Sequence, residues 1–310
     1  MQRYNSFLCI PNKILIIMSH KSGFVSIIGK PNAGKSTLLN ALLGENLSII
    51  THKAQTTRHR ILGILNEENL QIIFSDTPGI IKPVYGLHES MMSAVQGSIG
   101  DSDLVVFVTD IHEKHDEEEV LKSIRNTSAP IVVVINKVDN AKQEEIAEKI
   151  EYWKNTLNPV AIFATSALHD FQVKELLSFI KVNMPEHPAY YPKDDTYTDR
   201  TERFIVSEMI REKILVFYQK EIPYSTEVVV TSFVEEPHII KISAEIIVER
   251  ESQKAIIIGH RGESLKKTGM KSREKIEEFL DKKVYLELHV KVVPDWRNKK
   301  NYLKRFGYES

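Results

Sequence analysis

The stretch that decides the fold is GKPNAGKST at residues 29–37, which reads G-x-x-x-x-G-K-S. An apolar β-branched run at 24–28 precedes it, and an apolar run with helical spacing at 38–43 follows it. A strand, a glycine-rich loop and a helix start in this order predict a phosphate-binding loop, because backbone N–H groups and the positive helix N-terminus converge on an anion. In such a loop Lys35 reaches the β- and γ-phosphates and the Ser36 hydroxyl ligates Mg²⁺. The motif predicts a nucleoside triphosphate without specifying the base; the alternative is a glycine turn that binds nothing.

Length and composition describe a globular protein of about two domains, since the chain has 310 residues, 42% of them hydrophobic and 27% charged. Cys9 is the only cysteine, which excludes an internal disulfide framework and fits a reducing cytosol. No uninterrupted apolar run is long enough to span a bilayer. We therefore expect a cytoplasmic protein.

The net charge of −1 hides an asymmetry along the chain. Residues 254–310 carry 15 Lys and Arg against 8 Asp and Glu, a balance of +7, so the remainder carries −8. A basic end on an otherwise acidic chain indicates a partner with phosphates. A solvated charged surface would give the same counts.

Strands and helices alternate through the first half of the chain. Five apolar runs predict strands, at 24–28, 70–74, 104–108, 131–135 and 160–164. Segments with helical spacing lie between them, for example 117–125 and 142–155. This order predicts an α/β domain over 18–184, with a mostly parallel sheet covered by helices on both faces and ligands bound at the carboxyl ends of the strands.

The rest of the chain divides into an extension, a linker and a second domain. Residues 1–17 precede a second methionine, Met18, and lack a cleavage site, so we interpret them as an extension that is either disordered or not translated. Residues 185–200 contain three prolines and no periodicity, which predicts a linker. Residues 201–310 read as a helix, two strands, two helices around a pair of glycines, and a strand, which predicts an α+β domain.

Three further short motifs follow predicted strands: DTPG at 76–79, NKVD at 136–139 and TSAL at 165–168. Asp76 would hold the Mg²⁺ shell, and the Gly79 N–H would contact a γ-phosphate. The Asp139 carboxylate matches the N1–H and N2–H₂ donors of guanine, a pair that adenine lacks, and backbone N–H groups of 165–168 would meet the guanine O6. Each string is weak alone, but all four motifs at strand ends predict a site for GTP with Mg²⁺.

Five segments together resemble those of the Era family of bacterial GTPases: GKPNAGKST, ITHKAQTTRHR, DTPG, NKVD and SAL. The discriminating piece is ITHKAQTTR at 50–58. The resemblance implies a GTPase that hydrolyses GTP to GDP and phosphate, with a switch loop ordered by the γ-phosphate and a threonine that reaches Mg²⁺. We assign that role to Thr57, with Thr56 as the alternative; without the resemblance, 55–58 reads as an exposed polar loop.

The residue after Gly79 is Ile80, at the place where some GTPases carry a water-orienting glutamine. Isoleucine cannot hydrogen-bond water, so the nucleophile must be positioned in another way. The family resembles a wider class in which an asparagine of the P-N-x-G-K loop holds K⁺, and Asn32 occupies that place. A K⁺ ion there would neutralise transition-state charge; the alternative is that Asn32 only shapes the turn.

In the second domain, an apolar run at 255–258 leads into GHRG at 259–262. G-x-x-G between two helices is how a KH domain clamps about four nucleotides of a single strand. His260 and Arg261 would supply donors, and the apolar face of 256–258 a floor for bases. A lone G-x-x-G is more often an ordinary helix–turn–helix corner. The element order of a KH domain of bacterial topology, the basic cluster and an ending, VKVVPDWRNKKNYLKRFGY, that resembles the Era family's favour the clamp.

The predicted site residues form four sets. The catalytic set is Lys35, Asn32 and Thr57, and the metal ligands are Ser36, Thr57 and Asp76. The nucleotide contacts are Gly29, Lys30, Pro31, Asn32, Ala33, Gly34, Lys35, Ser36, Thr37, Asp76, Thr77, Pro78, Gly79, Ile80, Asn136, Lys137, Val138, Asp139, Ser166 and Ala167. The RNA contacts are Lys254, Ile257, Gly259, His260, Arg261, Gly262, Lys266 and Lys267.

We interpret the chain as a GTP-hydrolysing switch, with GTP/GDP, Mg²⁺ and, as a candidate, K⁺. The resemblance implies a monomer that binds single-stranded RNA near the 3′ end of the small-subunit ribosomal RNA and assists small-subunit assembly, with the state of 51–58 relayed across the linker. It also makes peripheral contact with the cytoplasmic face of the inner membrane a candidate. The alternative is a regulatory GTPase whose basic domain docks on the inner membrane surface or on a protein. An RNA-modifying enzyme lacks support, because neither a cysteine nor a metal-ligand cluster follows the linker.

Overall fold

A computed structural model describes residues 20–114, 118–124, 127–193 and 197–308 of the chain. The predicted extension at 1–17 lies outside the described residues, as do positions 194–196 of the predicted linker.

The first domain is built on a six-stranded sheet in the order β2-β3-β1-β4-β5-β6. The strands are β1 Lys21–Ile28, β2 Ile61–Glu67, β3 Leu70–Asp76, β4 Leu104–Asp110, β5 Ile131–Asn136 and β6 Ala161–Ala164. All neighbours pair in parallel except β2, which pairs antiparallel with β3 at the edge of the sheet. The predicted mostly parallel sheet is confirmed, and its one antiparallel strand was not predicted.

Among the described residues, five helices cover the two faces of this sheet. They are α1 Lys35–Leu43, α2 Gly86–Gly100, α3 Glu118–Ile124, α4 Gln143–Leu157 and α5 Val173–Val182. Leu38 of α1 and Leu176 of α5 are fully buried in one core, while Val95 of α2 and Trp153 of α4 are buried in the other. The β-branched strand residues are buried between these two cores, which explains their uninterrupted apolar runs.

The second domain has the predicted order of a helix, two strands, two helices and a strand. Its elements are α6 Glu202–Phe217, β7 Glu227–Glu235, β8 Ile240–Val248, α7 Glu251–Ile258, α8 Glu263–Leu280, β9 Val284–Val292 and the short C-terminal α9 Lys300–Arg305. The sheet runs β7-β8-β9, antiparallel between β7 and β8 and parallel between β8 and β9. The chain therefore has the predicted α/β domain followed by an α+β domain with the element order expected of a KH domain of bacterial topology.

The connection between the domains lies against the first one. The Gln71 side chain accepts hydrogen bonds from the backbone N–H of Tyr190 at 2.7 Å and of Tyr191 at 2.9 Å. Thr198 pairs with Gly63 of β2 as an isolated bridge. The described part of the predicted linker is therefore bound to the surface of the first domain and is not a free connection.

An apolar cluster also joins the two domains directly. Leu87 and Met91 of α2 are buried against Ile247, Val293 and Trp296 of the second domain. Among the described residues, no helix is both long enough and apolar enough to cross a membrane.

Candidate functional site

The phosphate loop has the backbone that its sequence predicts. Gly29 and Gly34 have φ values of 148° and 97°, in the region that favours glycine. A Cβ on Gly29 would lie 2.1 Å from the Val108 carbonyl oxygen, and a Cβ on Gly34 would lie 2.2 Å from Asn136 Nδ2. Both glycines are required here, because the loop passes this closely between β4 and β5.

Lys35 begins α1 and its ammonium folds back over the loop. Lys35 Nζ donates to the carbonyl oxygens of Gly29 at 3.1 Å and Lys30 at 2.9 Å. Burial lowers the pKa of Lys35 to about 8, against the opposing attraction of Asp76 and Glu113. The ammonium is therefore desolvated at the place where the phosphates of a nucleotide are expected, which strengthens its attraction for an anion.

Three predicted metal ligands converge at the carboxyl end of β3. Ser36 Oγ donates to Asp76 Oδ2 at 2.7 Å, Thr57 Oγ1 donates to the same oxygen at 3.3 Å, and the two hydroxyls lie 2.8 Å apart. Asp76 Oδ1 is buried and has no hydrogen-bond partner among the described residues. Burial raises the pKa of Asp76, although the Ser36 hydrogen bond and Lys35 act to lower it. An unpaired buried carboxylate oxygen beside two hydroxyls fits Mg²⁺, which prefers oxygen ligands.

The structure distinguishes the two candidate switch threonines. Thr56 Oγ1 donates to the Lys53 carbonyl oxygen at 2.6 Å and lies 2.7 Å from Thr51 Oγ1. Its hydroxyl is therefore occupied within the loop, whereas the Thr57 hydroxyl is directed at Asp76. This geometry favours Thr57 as the metal ligand.

Asn136 ties the phosphate loop to the predicted base-binding loops. Its Nδ2 donates to the Ala33 carbonyl oxygen at 2.9 Å, and its Oδ1 accepts from the Ala167 N–H at 3.0 Å and from Thr165 Oγ1 at 3.3 Å. Asn136 thus positions these loops, and it occupies the Ala167 N–H that we expected to face guanine O6. Asp139, in contrast, is exposed and accepts from Asn140 Nδ2 at 2.8 Å.

The four motifs and the switch loop line one cavity of about 440 Å³. This volume lies in the range typical of small-molecule sites. The wall contains Asn32, Lys35, Ser36, Thr57 and Asp139 of the predicted sets. Leu168, 75% exposed, adds an apolar side that we did not assign to the site.

Ile80, which contacts the phosphate loop, and Asn32, which lies within it, differ in their exposure to solvent. The Ile80 side chain is buried in the core that contains Val95, and its N–H donates to the Gly29 carbonyl oxygen at 3.0 Å. Ile80 therefore supports the loop and does not offer its side chain to the nucleotide. Asn32 is exposed and has a φ of 65°, a conformation that asparagine adopts more readily than most residues. Its conformation fits turn formation, and its exposure leaves the amide open to a ligand.

The GHRG loop connects α7 to α8 as a tight turn. Gly259, Arg261 and Gly262 have φ values of 72°, 50° and 80°. A Cβ on Gly259 would lie 2.2 Å from Ser264 Oγ, whereas a Cβ on Gly262 would meet nothing within 4 Å. His260 is exposed beside Arg261. The loop therefore presents open backbone and two side-chain donors at the N-terminus of α8, which suits a phosphate.

The predicted basic surface around this loop is present, with one correction. Lys254, Arg261, Lys266 and Lys267 form no ion pair within the described residues, although Lys267 Nζ lies over the Phe217 ring, 4.8 Å from its centroid. Ile257 was predicted to contact RNA, but its side chain is fully buried in the domain core. That prediction was wrong, because successive helical residues point about 100° apart; Ile256, 51% exposed, is the one that faces outward.

Two arginines that contact the opposite domain were missed. Arg58 and Arg211 are each 1% exposed at the boundary between the domains. Arg58 lies inside the discriminating segment 50–58, but its partners lie 165 residues or more away along the chain. No local pattern could have revealed those pairings.

Comparisons with known proteins follow this division of the chain. Residues 24–137 match the family model described as "50S ribosome-binding GTPase", and residues 221–297 match that of the KH domain. GTPase Era of Staphylococcus haemolyticus is 42% identical over 292 residues, which cover 93% of this chain and 97% of that protein. A crystal structure of Era in complex with MgGDPNP and nucleotides 1506–1542 of 16S ribosomal RNA has a TM-score of 0.90 at 39% identity. A crystal structure of an Aquifex aeolicus Era variant bound to GDP·AlF₄⁻ has the same TM-score and identity; each match covers 94% of this chain and 100% of that chain.

The lowered pKa of Lys35 predicts how nucleotide binding depends on pH. Bound phosphates stabilise the ammonium, so the pKa of Lys35 must rise from about 8 when GTP binds. Binding then takes up a proton above pH 8, and we expect affinity to fall about fivefold between pH 8 and 9. Titration calorimetry in buffers of different ionisation enthalpy measures this uptake. Lys35→Arg is the control, because its guanidinium stays charged and reports only the nucleotide's own titration; identical proton uptake in both proteins would contradict the prediction.

Proposed function

The chain belongs to the Era family of GTPases, and on that premise we propose that its GTP state controls binding of the KH domain to single-stranded RNA. We propose that this RNA lies near the 3′ end of the small-subunit ribosomal RNA and that its binding supports small-subunit assembly. The Era complex with 16S ribosomal RNA, similar over 94% of this chain, carries the RNA part of the proposal. The open GHRG turn and the exposed Arg261 and Lys266 beside it support the proposal from this chain's own residues. We propose domains at 18–184 and 201–310 with 185–200 between them.

In the nucleotide site, Lys35 would bind the β- and γ-phosphates, and Ser36, Thr57 and Asp76 would hold Mg²⁺. The ion supplies charge neutralisation at the phosphates. Asp139 would select guanine, and Asn136 would keep the base loop registered on the phosphate loop. The buried Ile80 side chain can neither orient nor activate water, so another group would position the attacking water.

Asn32 is our candidate ligand for K⁺, because it is exposed in the cavity wall beside Lys35. We expect GTP hydrolysis by the full chain to be slower in Na⁺ than in K⁺, and Asn32→Ala to abolish that difference. Steady-state phosphate release in matched K⁺ and Na⁺ buffers measures it. Because Asn32 has a positive φ, Asn32→Gly serves as the second variant, preserving the turn without the amide. Rates that are equal in the two salts, with no change in either variant, would leave Asn32 a turn residue only.

The RNA clamp would work through the backbone of 259–262 and the cations around it. Each phosphate that these groups neutralise releases counterions, so the logarithm of affinity falls by roughly 0.7 per contacted phosphate for each decade of salt. A surface that binds by diffuse attraction to membrane would respond to lipid charge and not to RNA sequence. These responses distinguish the proposal from the alternative of membrane or protein docking.

Crosslinking in cells followed by sequencing of the bound RNA tests the proposal. We expect reads concentrated at the 3′ end of the small-subunit ribosomal RNA. Absence of any enriched ribosomal segment, together with sedimentation of the purified chain on anionic vesicles, would instead support the membrane alternative. We further propose that the protein is a monomer, which analytical ultracentrifugation tests. We also propose that it is located in the cytoplasm, which cell fractionation tests.

A further inference from the structure

The switch segment 55–58 makes direct contact with the C-terminal domain. Gln55, Thr56 and Thr57 line the nucleotide cavity on one side. On the other side the same segment meets α6 and the turn at 223–227 of the C-terminal domain. These contacts bypass the connection at 185–200, so the two domains are joined at the switch itself.

Arg211 of α6 holds the backbone that immediately precedes Thr57. Its Nη1 donates to the Gln55 carbonyl oxygen at 3.2 Å, and its Nη2 donates to the Thr56 carbonyl oxygen. Its Nε donates to Glu208 Oε1 at 2.7 Å within the same helix. The planar guanidinium fork can hold two consecutive carbonyls at once, which a lysine ammonium cannot reproduce.

Arg58 anchors the backbone that immediately follows Thr57. Its Nη1 donates to the Thr226 carbonyl oxygen at 2.7 Å, and its Nη2 donates to those of Pro223 at 3.0 Å and Tyr224 at 3.1 Å. Glu227 Oε2 lies 3.3 Å from Nη1 and compensates the buried charge. The switch arginine is therefore inserted into a carbonyl pocket of the C-terminal domain.

The neighbouring His59 extends this anchor to the end of the described chain. Its ring stacks on Tyr308 with centroids 4.1 Å apart and meets Phe204 edge-on at 5.2 Å. The Tyr308 hydroxyl donates to Glu227 Oε2 at 2.5 Å. The C-terminal domain thus surrounds residues 58 and 59 from three separate elements.

We propose that Arg211 is a positioning residue for GTP hydrolysis, which holds the Thr57 hydroxyl at Ser36 and Asp76 by fixing the two carbonyls before it, with Arg58 fixing the backbone after it. The inference rests on the proposed function, in which Thr57 meets the Mg²⁺ of bound GTP. Because Arg211 belongs to the KH domain, a movement of α6 changes the metal site directly. By linkage, the nucleotide that favours this position of Thr57 also favours this position of α6.

The contacts of Arg211 with the switch are separate from the apolar docking of the two domains. Arg211 and Glu208 lie one turn apart on α6, so the ion pair survives if the domains separate, and only the two carbonyl contacts are lost. The apolar cluster of Leu87 and Trp296 docks the domains without help from Arg211. Gln55 has a φ of 57°, a strained value for a non-glycine residue, and this conformation accompanies the turn of its carbonyl toward Arg211.

The test compares Glu208→Gln with Glu208→Gln/Arg211→Met in the full chain. The single variant retains the guanidinium contacts to the switch, whereas the double variant removes them without leaving an unpaired buried carboxylate. We expect the double variant to bind GDPNP about tenfold more weakly than the single variant, with GDP affinity unchanged and a higher Mg²⁺ concentration needed for half-maximal hydrolysis. Thermal unfolding of both variants establishes that they are folded. Arg211→Lys is the second variant, with an intermediate loss expected because one ammonium replaces the fork.

A cycle with Thr57→Ala separates this inference from the proposed function. If Arg211 acts through Thr57, adding Arg211→Met to a Glu208→Gln/Thr57→Ala variant causes no further loss of GDPNP preference. Additive losses, or an equal loss for GDP and GDPNP, would overturn the positioning role while leaving Thr57 as the metal ligand. If Thr57→Ala by itself leaves GDPNP preference intact, the assignment of Thr57 in the proposed function fails, and the positioning role fails with it.

Discussion

Replacing Asp139 with asparagine is expected to change the base specificity of the chain from guanine to xanthine. The aspartate carboxylate accepts from both N1–H and N2–H₂ of guanine, whereas an asparagine amide offers one acceptor and one donor. Xanthine has an oxygen in place of the N2 amino group, so it pairs with the amide and repels the carboxylate. Because Asp139 is exposed to solvent, we expect GTP affinity to fall about 10²- to 10³-fold, less than for a fully buried recognition group.

The measurement is hydrolysis of GTP and of xanthosine triphosphate by the wild-type chain and the variant. Asp170→Asn is the matched control. Asp170 is an exposed aspartate in the turn that follows β6, and its replacement changes the net charge by the same amount. The control should retain the wild-type preference for GTP. A variant that loses GTP without gaining xanthosine triphosphate would place the base elsewhere in the cavity.

The parts of the structure that sequence predicts well are those set by short-range periodicity. The runs that became β1, β3, β4 and β5 are continuous and β-branched because both faces of these strands are buried. β2 was missed because it is an antiparallel edge strand with Gly63 inside its run. That glycine has a packing reason, since a Cβ there would lie 2.5 Å from Leu43 Cδ1, but nothing in the local pattern signals it.

The parts that sequence could not predict depend on contacts between distant positions. The prolines of 185–200 indicate a loop, yet only the fold shows that Gln71 holds that loop against the sheet. Similarly, the excess of basic residues after 254 indicates an anionic partner, but several of those cations are used internally. Lys275 pairs with Glu212, and Lys282 pairs with Glu235. The basic surface available to RNA is therefore smaller than the count of charges implies.

The relay between the domains shows the same limit. The sequence places the switch and the KH domain at opposite ends of a linker, which made transmission through the linker the natural expectation. The structure instead places Arg58 within hydrogen-bonding distance of the turn before β7. Under the proposed coupling, direct contact transmits a movement between the two sites more tightly than a flexible connection does, because packed interfaces have few alternative arrangements.

Replacing Gly262 with aspartate is expected to abolish RNA binding while the KH domain stays folded. Gly262 has a φ of 80° and a ψ of 8°, a left-handed conformation that aspartate tolerates better than most residues. A Cβ at this position meets no atom within 4 Å, and a carboxylate at the N-terminus of α8 interacts favourably with the helix dipole. The new carboxylate would lie where the clamp expects a phosphate, and the repulsion between the two charges opposes binding.

Gly44→Asp is the matched control for this substitution. Gly44 caps α1 with a φ of 74° and a ψ of 14°, and a Cβ there also meets nothing within 4 Å. The two variants therefore introduce the same charge on nearly the same backbone, one at the GHRG turn and one in the GTPase domain. We expect Gly262→Asp to lower affinity for a short single strand by at least about 100-fold and to flatten its salt dependence, since the phosphate contacts are lost. Gly44→Asp should leave both unchanged; an equal loss in the two variants would mean that overall charge, and not the clamp, binds the RNA.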